Sequence, residues 1–302
     1  MISVNNEKIS TKHFPDNTQF FKLDTGFVQE IPNLFTITWA YENEEECMTL
    51  WYAVNHLRDK KKNAIINLYV LYFPNARMDR TKANDEVFTL KYFTKFINEL
   101  NLNNVYILDP HSNVTPALIN NVTILPWEDY VKRVMEYLEF NVNLNQEHSN
   151  DGCVKMIERL VIYFPDNGAM KRYCDTNLFG NREVLYGIKN RDWATGKILG
   201  LTINDRNGYE LKSDKKNVKV LEGKTVLMVD DIISYGGTFS ISADKLKELG
   251  AKEIYAYATH CEKSVLDADK SVLLERLQNG TVKKIFTTNS VFNIESEFVQ
   301  II

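Results

Sequence analysis

The hydrophobic pattern along the chain alternates between unbroken apolar runs and helical spacing. Residues 65–73 (IINLYVLYF) are a run of β-branched and aromatic positions closed by Pro74, the pattern of a strand buried on both faces. A polar loop, PNARMDRTKAN, follows. From Asp85 the apolar positions Val87, Leu90, Phe93, Ile97 and Leu100 recur at helical spacing, with Asn84 or Asp85 as the cap. Val105–Leu108 reads as the next strand. Strand, helix and strand in succession predict a βαβ unit, and so a parallel sheet with a right-handed crossover.

The second half repeats the plan. Leu160–Phe164 is a strand closed by Pro165, and Thr225–Val229 is another, running into DDIISYGGT. The next helix, Thr238–Leu249, places Phe239, Ala243, Leu246 and Leu249 on one face and stops at Gly250, before the return strand Ile254–Thr259. Tyr-Phe-Pro closes a strand in each half, at Tyr72–Pro74 and Tyr163–Pro165, and each time a polar loop containing Arg follows. This points to duplication, with the linker near Pro126–Asp129, ahead of the amphipathic stretch Tyr130–Leu138. Between Lys189 and Glu222 there is little apolar periodicity and much Lys, Asn, Asp and Gly, which predicts a mobile loop or hairpin.

Composition supports two globular domains. The chain has 302 residues, twice a common domain length of ~150. With 44% hydrophobic residues, 16 Phe, 15 Tyr and 4 Trp it has ample core material, which excludes disorder as the main state. Thirty-six basic against forty acidic residues give a net charge of -4, the wrong sign for general nucleic-acid binding, so phosphate chemistry must rely on local cations. The longest apolar stretch, Ala64–Phe73, carries Asn67 and falls short of the ~20 residues of a membrane span. The start, MISVNNEKIS, has no apolar core; a soluble, cytoplasmic protein without membrane association is expected. Cys47, Cys153, Cys174 and Cys261 form no CxxC and read as reduced thiols.

Candidate chemistry gathers at strand ends. In VLMVDDIISYGGTFS an apolar strand delivers Asp230 and Asp231, and a glycine-rich turn with Thr238 then opens a helix. Gly236 and Gly237 let backbone N–H groups approach an oxyanion, Thr238 adds a hydroxyl, and the helix N-terminus adds positive partial charge. Adjacent carboxylates suit paired sugar hydroxyls or a hydrated Mg²⁺. The plain alternative is an Asp turn and glycine loop in an ordinary α/β fold.

This segment resembles the ribose-phosphate motif of type I phosphoribosyltransferases and of ribose-phosphate pyrophosphokinases (PRPP synthetases). Further segments resemble the second group. LYFPNARMDR is similar to the ATP-site segment with its Ala-Arg-x-Asp-Arg/Lys core, here Arg77, Asp79 and Arg80; ILDPH to the strand ending in a metal-binding histidine, here His111. YFPDNGAMKR is similar to the pyrophosphate loop whose aspartate also binds Mg²⁺, here Asp166 followed by Asn167, Gly168 and Ala169. GIKNR resembles the start of a flexible catalytic loop with a Lys-x-Arg pair, here Lys189 and Arg191. HFPDN resembles the hairpin that reaches the adenine of a neighbouring subunit, here Phe14 and Asp16. Taken singly, each has a plainer reading: Arg77 and Arg80 as surface cations, His111 as a structural histidine, Phe14 as packing. His13, His56, His148 and His260 show no cluster logic.

The resemblance implies two tandem phosphoribosyltransferase-like domains, residues 1–128 on the ATP side and 129–302 carrying the ribose-phosphate site, each a mainly parallel sheet flanked by helices. It implies transfer of the β,γ-diphosphate of ATP to the anomeric hydroxyl of ribose 5-phosphate, giving PRPP and AMP, with Mg²⁺ held by His111 and Asp166. It also implies a dimer-based homo-oligomer, a hexamer included. The chain departs from the family where Ser234 and Tyr235 replace the usual Asp-Thr beside the 5-phosphate; Thr18 and Met78 depart near the ATP site. Ser234 and Tyr235 motivate ADP-ribose as the alternative acceptor. A phosphoribosyltransferase would leave the ATP-site and Lys-x-Arg segments unexplained, and retention of His111, Asp166, Lys189 and Arg191 argues against a non-catalytic regulatory subunit.

Overall fold

The computed structural model describes residues 1–23, 33–143, 159–174, 176–191, 198–212 and 220–302, with the side chains of 141–143, 190, 191, 198 and 199 left out. The chain divides into two compact units, Met1–Pro126 and Trp127–Ile302.

The first unit runs β1 (Ile2–Val4), β2 (Glu7–Lys8), β3 (Lys12–His13), β4 (Gln19–Phe20), β5 (Leu34–Trp39), α1 (Glu46–Lys60), β6 (Ile65–Val70), α2 (Thr89–Glu99), β7 (Asn104–Leu108), α3 (Val114–Leu118) and β8 (Val122–Leu125). Its sheet has the order β2-β1-β5-β6-β7-β8. Strands β5 to β8 are parallel, whereas β1 pairs antiparallel with both neighbours. Phe35, Ile37, Ile66, Leu68, Val70, Val105 and Ile107 form one core with Leu50, Ala53, Val54 and Leu57 of α1 and Leu90 and Ile97 of α2.

Two expectations need correction here. The run from Ile65 is not buried on both faces: β6 alternates, with Ile66, Leu68 and Val70 buried, Ile65 exposed and Asn67 and Tyr69 half-buried. Asn67 was the sign, because a polar side chain inside an apolar run needs a wet face. Nor does the following helix start at Asp85. The Glu86 carboxylate accepts the Lys82 N–H at 2.5 Å, a local turn that competes with helix, and α2 begins four residues later without a side-chain cap.

The second unit runs α4 (Glu128–Asn143), β9 (Leu160–Phe164), α5 (Asn167–Tyr173), β10 (Val184–Arg191), β11 (Ile198–Asp205), β12 (Thr225–Ile233), α6 (Gly237–Glu248), β13 (Glu253–Cys261), α7 (Val272–Gln278), β14 (Ile285–Thr287) and β15 (Val299–Ile301). The sheet order is β11-β10-β9-β12-β13-β14-β15, parallel throughout except for the antiparallel hairpin β10–β11. Every residue of β9 is buried, as its unbroken apolar run demands. Phe239, Ala243 and Leu246 of α6 pack with Val226 and Met228 on one face; Val131, Val134, Met135 and Leu138 of α4 and Tyr173 of α5 pack with Leu227 and Val229 on the other. The helices after β9 and β12 thus leave on opposite sides, and the C-terminal ends of these neighbouring strands flank a topological switch point, where α/β sheets place ligands.

The polar stretch from Lys189 contains the hairpin strands; residues 192–197 and 213–219 of it lie outside the described residues, as do His148 and Cys153. Cys47, Cys174 and Cys261 are free thiols. Among the described residues no helix is long and apolar enough to cross a membrane.

Candidate functional site

Three strand ends of the second sheet supply the site. β9 ends at Phe164, and two residues later Asp166 caps α5: its Oδ1 accepts the backbone N–H of Gly168 at 3.0 Å and of Ala169 at 3.1 Å. From β10 the Lys189 ammonium donates to Asp166 Oδ2 at 3.2 Å and to Thr238 Oγ1 at 3.0 Å, and its side chain is 14% exposed. Thr238 stands in the first turn of α6, so one cation joins the Asp-Asn-Gly-Ala loop to the glycine turn. Burial pushes the Asp166 carboxyl up, but the Ala169 N–H, the Lys189 charge and the Gly168 N–H outweigh it and hold the group below the usual carboxylate value.

β12 carries Asp230 and Asp231, whose side chains alternate across the strand. Asp231 is 3% exposed and meets Arg172 of α5, Nη1 to Oδ1, at 3.0 Å. Its backbone N–H is accepted by Asp230 Oδ1 at 2.9 Å. Asp230 is held well above the usual carboxylate value by burial first, then by the charges of Asp231 and Asp166. A carboxyl whose value is raised in the fold opposes folding when charged; the opposition is full above the folded value and fades as pH falls through it. Asp230→Asn is therefore expected to raise the melting temperature at pH 7, with the gain shrinking on acidification. Calorimetry of both proteins across pH checks this, and a lower melting temperature at pH 7 would contradict it.

The glycine turn is built from unlike parts. Gly236 precedes α6 with φ +75°, where a Cβ would also collide with the Leu273 side chain of α7. A Cβ on exposed Gly237 would meet open space. The Ser234 hydroxyl lies 3.2 Å from that of Ser264, and the Tyr235 carbonyl accepts from Ser271 Oγ at 3.4 Å while its side chain is 41% exposed.

Arg191 ends β10. The pairing shifts register between Asn190 and Arg191, with the extra residue on the β11 side. The remaining residues belong to the first unit. Arg77 and Arg80 are exposed on the loop after β6, with half-buried Asp79 beside Arg80 at 4.0 Å. His111 is half-buried just beyond β7. Phe14 and Asp16 occupy the turn of the β3–β4 hairpin, where the Phe14 ring lies 4.5 Å from that of Phe20 and Asp16 Oδ1 accepts from the Thr18 hydroxyl at 2.7 Å and its N–H at 3.0 Å.

Sequence reasoning passed over Arg172, which stands in the quoted pyrophosphate-loop segment; a carboxylate pair at a buried strand end should have prompted a search for its countercharge. It also passed over Gly187 of β10, where a Cβ would collide with the Tyr163 hydroxyl and lie 2.8 Å from the Pro165 carbonyl oxygen. His260 is buried, with Nδ1 2.8 Å from Ser290 Oγ.

No family model matches the chain. It is 28% identical over 249 residues to a ribose-phosphate pyrophosphokinase of Bacillus subtilis, covering 82% of this chain and 66% of that protein. Enzymes of the same name from Saccharolobus solfataricus and Sulfurisphaera tokodaii are 24% and 27% identical, each match covering 96% of this chain and 87% of the relative. The phosphoribosylpyrophosphate synthetase structure from Mycobacterium smegmatis superposes with a TM-score of 0.67 over 98% of this chain and 85% of that one, at 16% identity, which makes it a likeness of fold. Over nearly its whole length the chain is therefore similar to ribose-phosphate pyrophosphokinases (PRPP synthetases), and it shares the α/β fold of the Mycobacterium smegmatis synthetase.

Proposed function

We propose that the protein transfers the β,γ-diphosphate of ATP to the anomeric hydroxyl of a 5-phosphorylated ribose, ribose 5-phosphate by preference, releasing AMP. The observation that carries this reading is Lys189, one cation in contact with both Asp166 and Thr238. Those contacts mark the two loops that would hold the transferring diphosphate and the sugar 5-phosphate. In this reading Asp230 and Asp231 accept from the ribose hydroxyls, while Ser234, Tyr235, Gly236, Gly237 and Thr238 surround the 5-phosphate. Asn167, Gly168 and Ala169 line the diphosphate, Lys189 and Arg191 supply charge where it develops, and Arg77, Asp79 and Arg80 bind ATP. Phe14 and Asp16 reach the adenine of a neighbouring subunit in a homo-oligomer, and both units are copies of one phosphoribosyltransferase-like domain.

Mg²⁺ completes the reading. Among the described residues no three His, Cys, Asp or Glu side chains gather into a cage. Mg²⁺ needs none, since one or two protein ligands plus phosphate oxygens and water hold it. Asp166, ionised and at the loop, has the right donor chemistry, and the family resemblance assigns the second ligand to His111. When bound, the ion would neutralise phosphate charge. The test is product analysis after incubation with ATP and ribose 5-phosphate, with and without Mg²⁺. AMP is expected only when both acceptor and metal are present; ADP in its place would sink the assignment.

Tyr235 favours a second acceptor. Its exposed ring stands where the family usually carries Asp-Thr, and a flat aromatic surface there suits an adenine, in stacking of about 1–3 kcal/mol in nucleic-acid complexes. In a competition between ribose 5-phosphate and ADP-ribose, the unsubstituted protein is expected to prefer ribose 5-phosphate, and Tyr235→Ala to change use of the two acceptors equally. Selective loss of ADP-ribose use would make ADP-ribose the acceptor.

A further inference from the structure

We propose that Arg172 is a positioning residue for the ribose-binding carboxylates, a reading that rests on the function just proposed. Its guanidinium reaches from α5 to Asp231 at 3.0 Å, and the Asp231 side chain is 4% exposed against 23% for Arg172. A carboxylate this buried is held by its countercharge, and loss of one partner leaves the other uncompensated. The cation itself is fixed from below. It lies 5.4 Å from the centre of the Tyr173 ring, with Nη1 3.4 Å from the Tyr173 hydroxyl oxygen. That ring is fully buried, edge-on to Trp127 at 4.4 Å and stacked with Phe164 at 5.9 Å.

Helix α5 thereby touches two working parts of the site. Asp166 caps its start and meets Lys189; Arg172, one residue from its end, grips Asp231. Asp231 in turn gives its backbone N–H to Asp230. The chain of contacts Asp166, α5, Arg172, Asp231, Asp230 sets the separation between the diphosphate loop and the carboxylates that receive the sugar. Arg172 acts through Asp231 and leaves the ATP site alone.

The experiment is steady-state kinetics of Arg172→Met and Arg172→Lys, with ribose 5-phosphate and ATP varied separately, alongside thermal melts. For Arg172→Met, KM for ribose 5-phosphate is expected to rise about tenfold or more while KM for ATP moves by less than about threefold. Arg172→Lys, which keeps the charge and most of the bulk, is expected to recover part of the loss and guards against a Met variant that fails to fold. Equal changes in both KM values, or none, overturn the positioning role while the wild type still releases AMP. A wild type that releases no AMP with ribose 5-phosphate or ADP-ribose overturns the function and this inference together.

Discussion

Lys189→Ala lowers kcat for AMP release by about 10²-fold or more and changes KM for ATP little, the pattern of an interaction made chiefly in the transition state. The ammonium lies between Asp166 and Thr238, so it already sits between the two loops that the reaction must bring together. Its low exposure means that water replaces it poorly once the side chain is cut back. Initial-rate kinetics with saturating acceptor check the prediction. If ATP affinity and rate fall equally, Lys189 serves ground-state binding instead.

Gly236→Ala destabilises the fold by about 2–5 kcal/mol, combining a left-handed backbone with an overpacked contact. The φ of +75° is unfavourable for any L side chain, and the new methyl would press on Leu273 in the buried packing between α6 and α7. Denaturant titration measures the loss. Gly237→Ala is the matched control. Its methyl points into open space, so stability should hold while the 5-phosphate is crowded and KM for the acceptor rises. Equal stability losses at both positions would contradict the division of labour within the turn.

The sequence made β9, β12 and β13 legible because they are buried along most of their length, and α6 because it carries an unambiguous stripe of Phe239, Ala243 and Leu246. β6 misled because its apolar residues outweigh Asn67, the one polar position in the run and the mark of the face that stays wet. The start of α2 was hidden by a turn stabilised through Glu86, a contact that spacing does not encode. At the site, glycines and paired carboxylates stand out because they are adjacent in the chain. Arg172 and Asp231 are far apart in sequence and adjacent only after α5 has packed on the sheet, so their pairing required the fold.

The absence of a side chain at Gly187 has a mechanical consequence. Because β10 passes directly against the Tyr163 hydroxyl, and that hydroxyl lies 3.0 Å from Ser242 Oγ on α6, a single phenol of β9 packs against the lysine-bearing strand and bonds to the helix behind the glycine turn. The lysine strand and the glycine turn therefore meet at one rivet beneath them. Loosening it would let the lysine strand and the turn drift separately, so the alignment of the site would be lost before the sheet itself came apart.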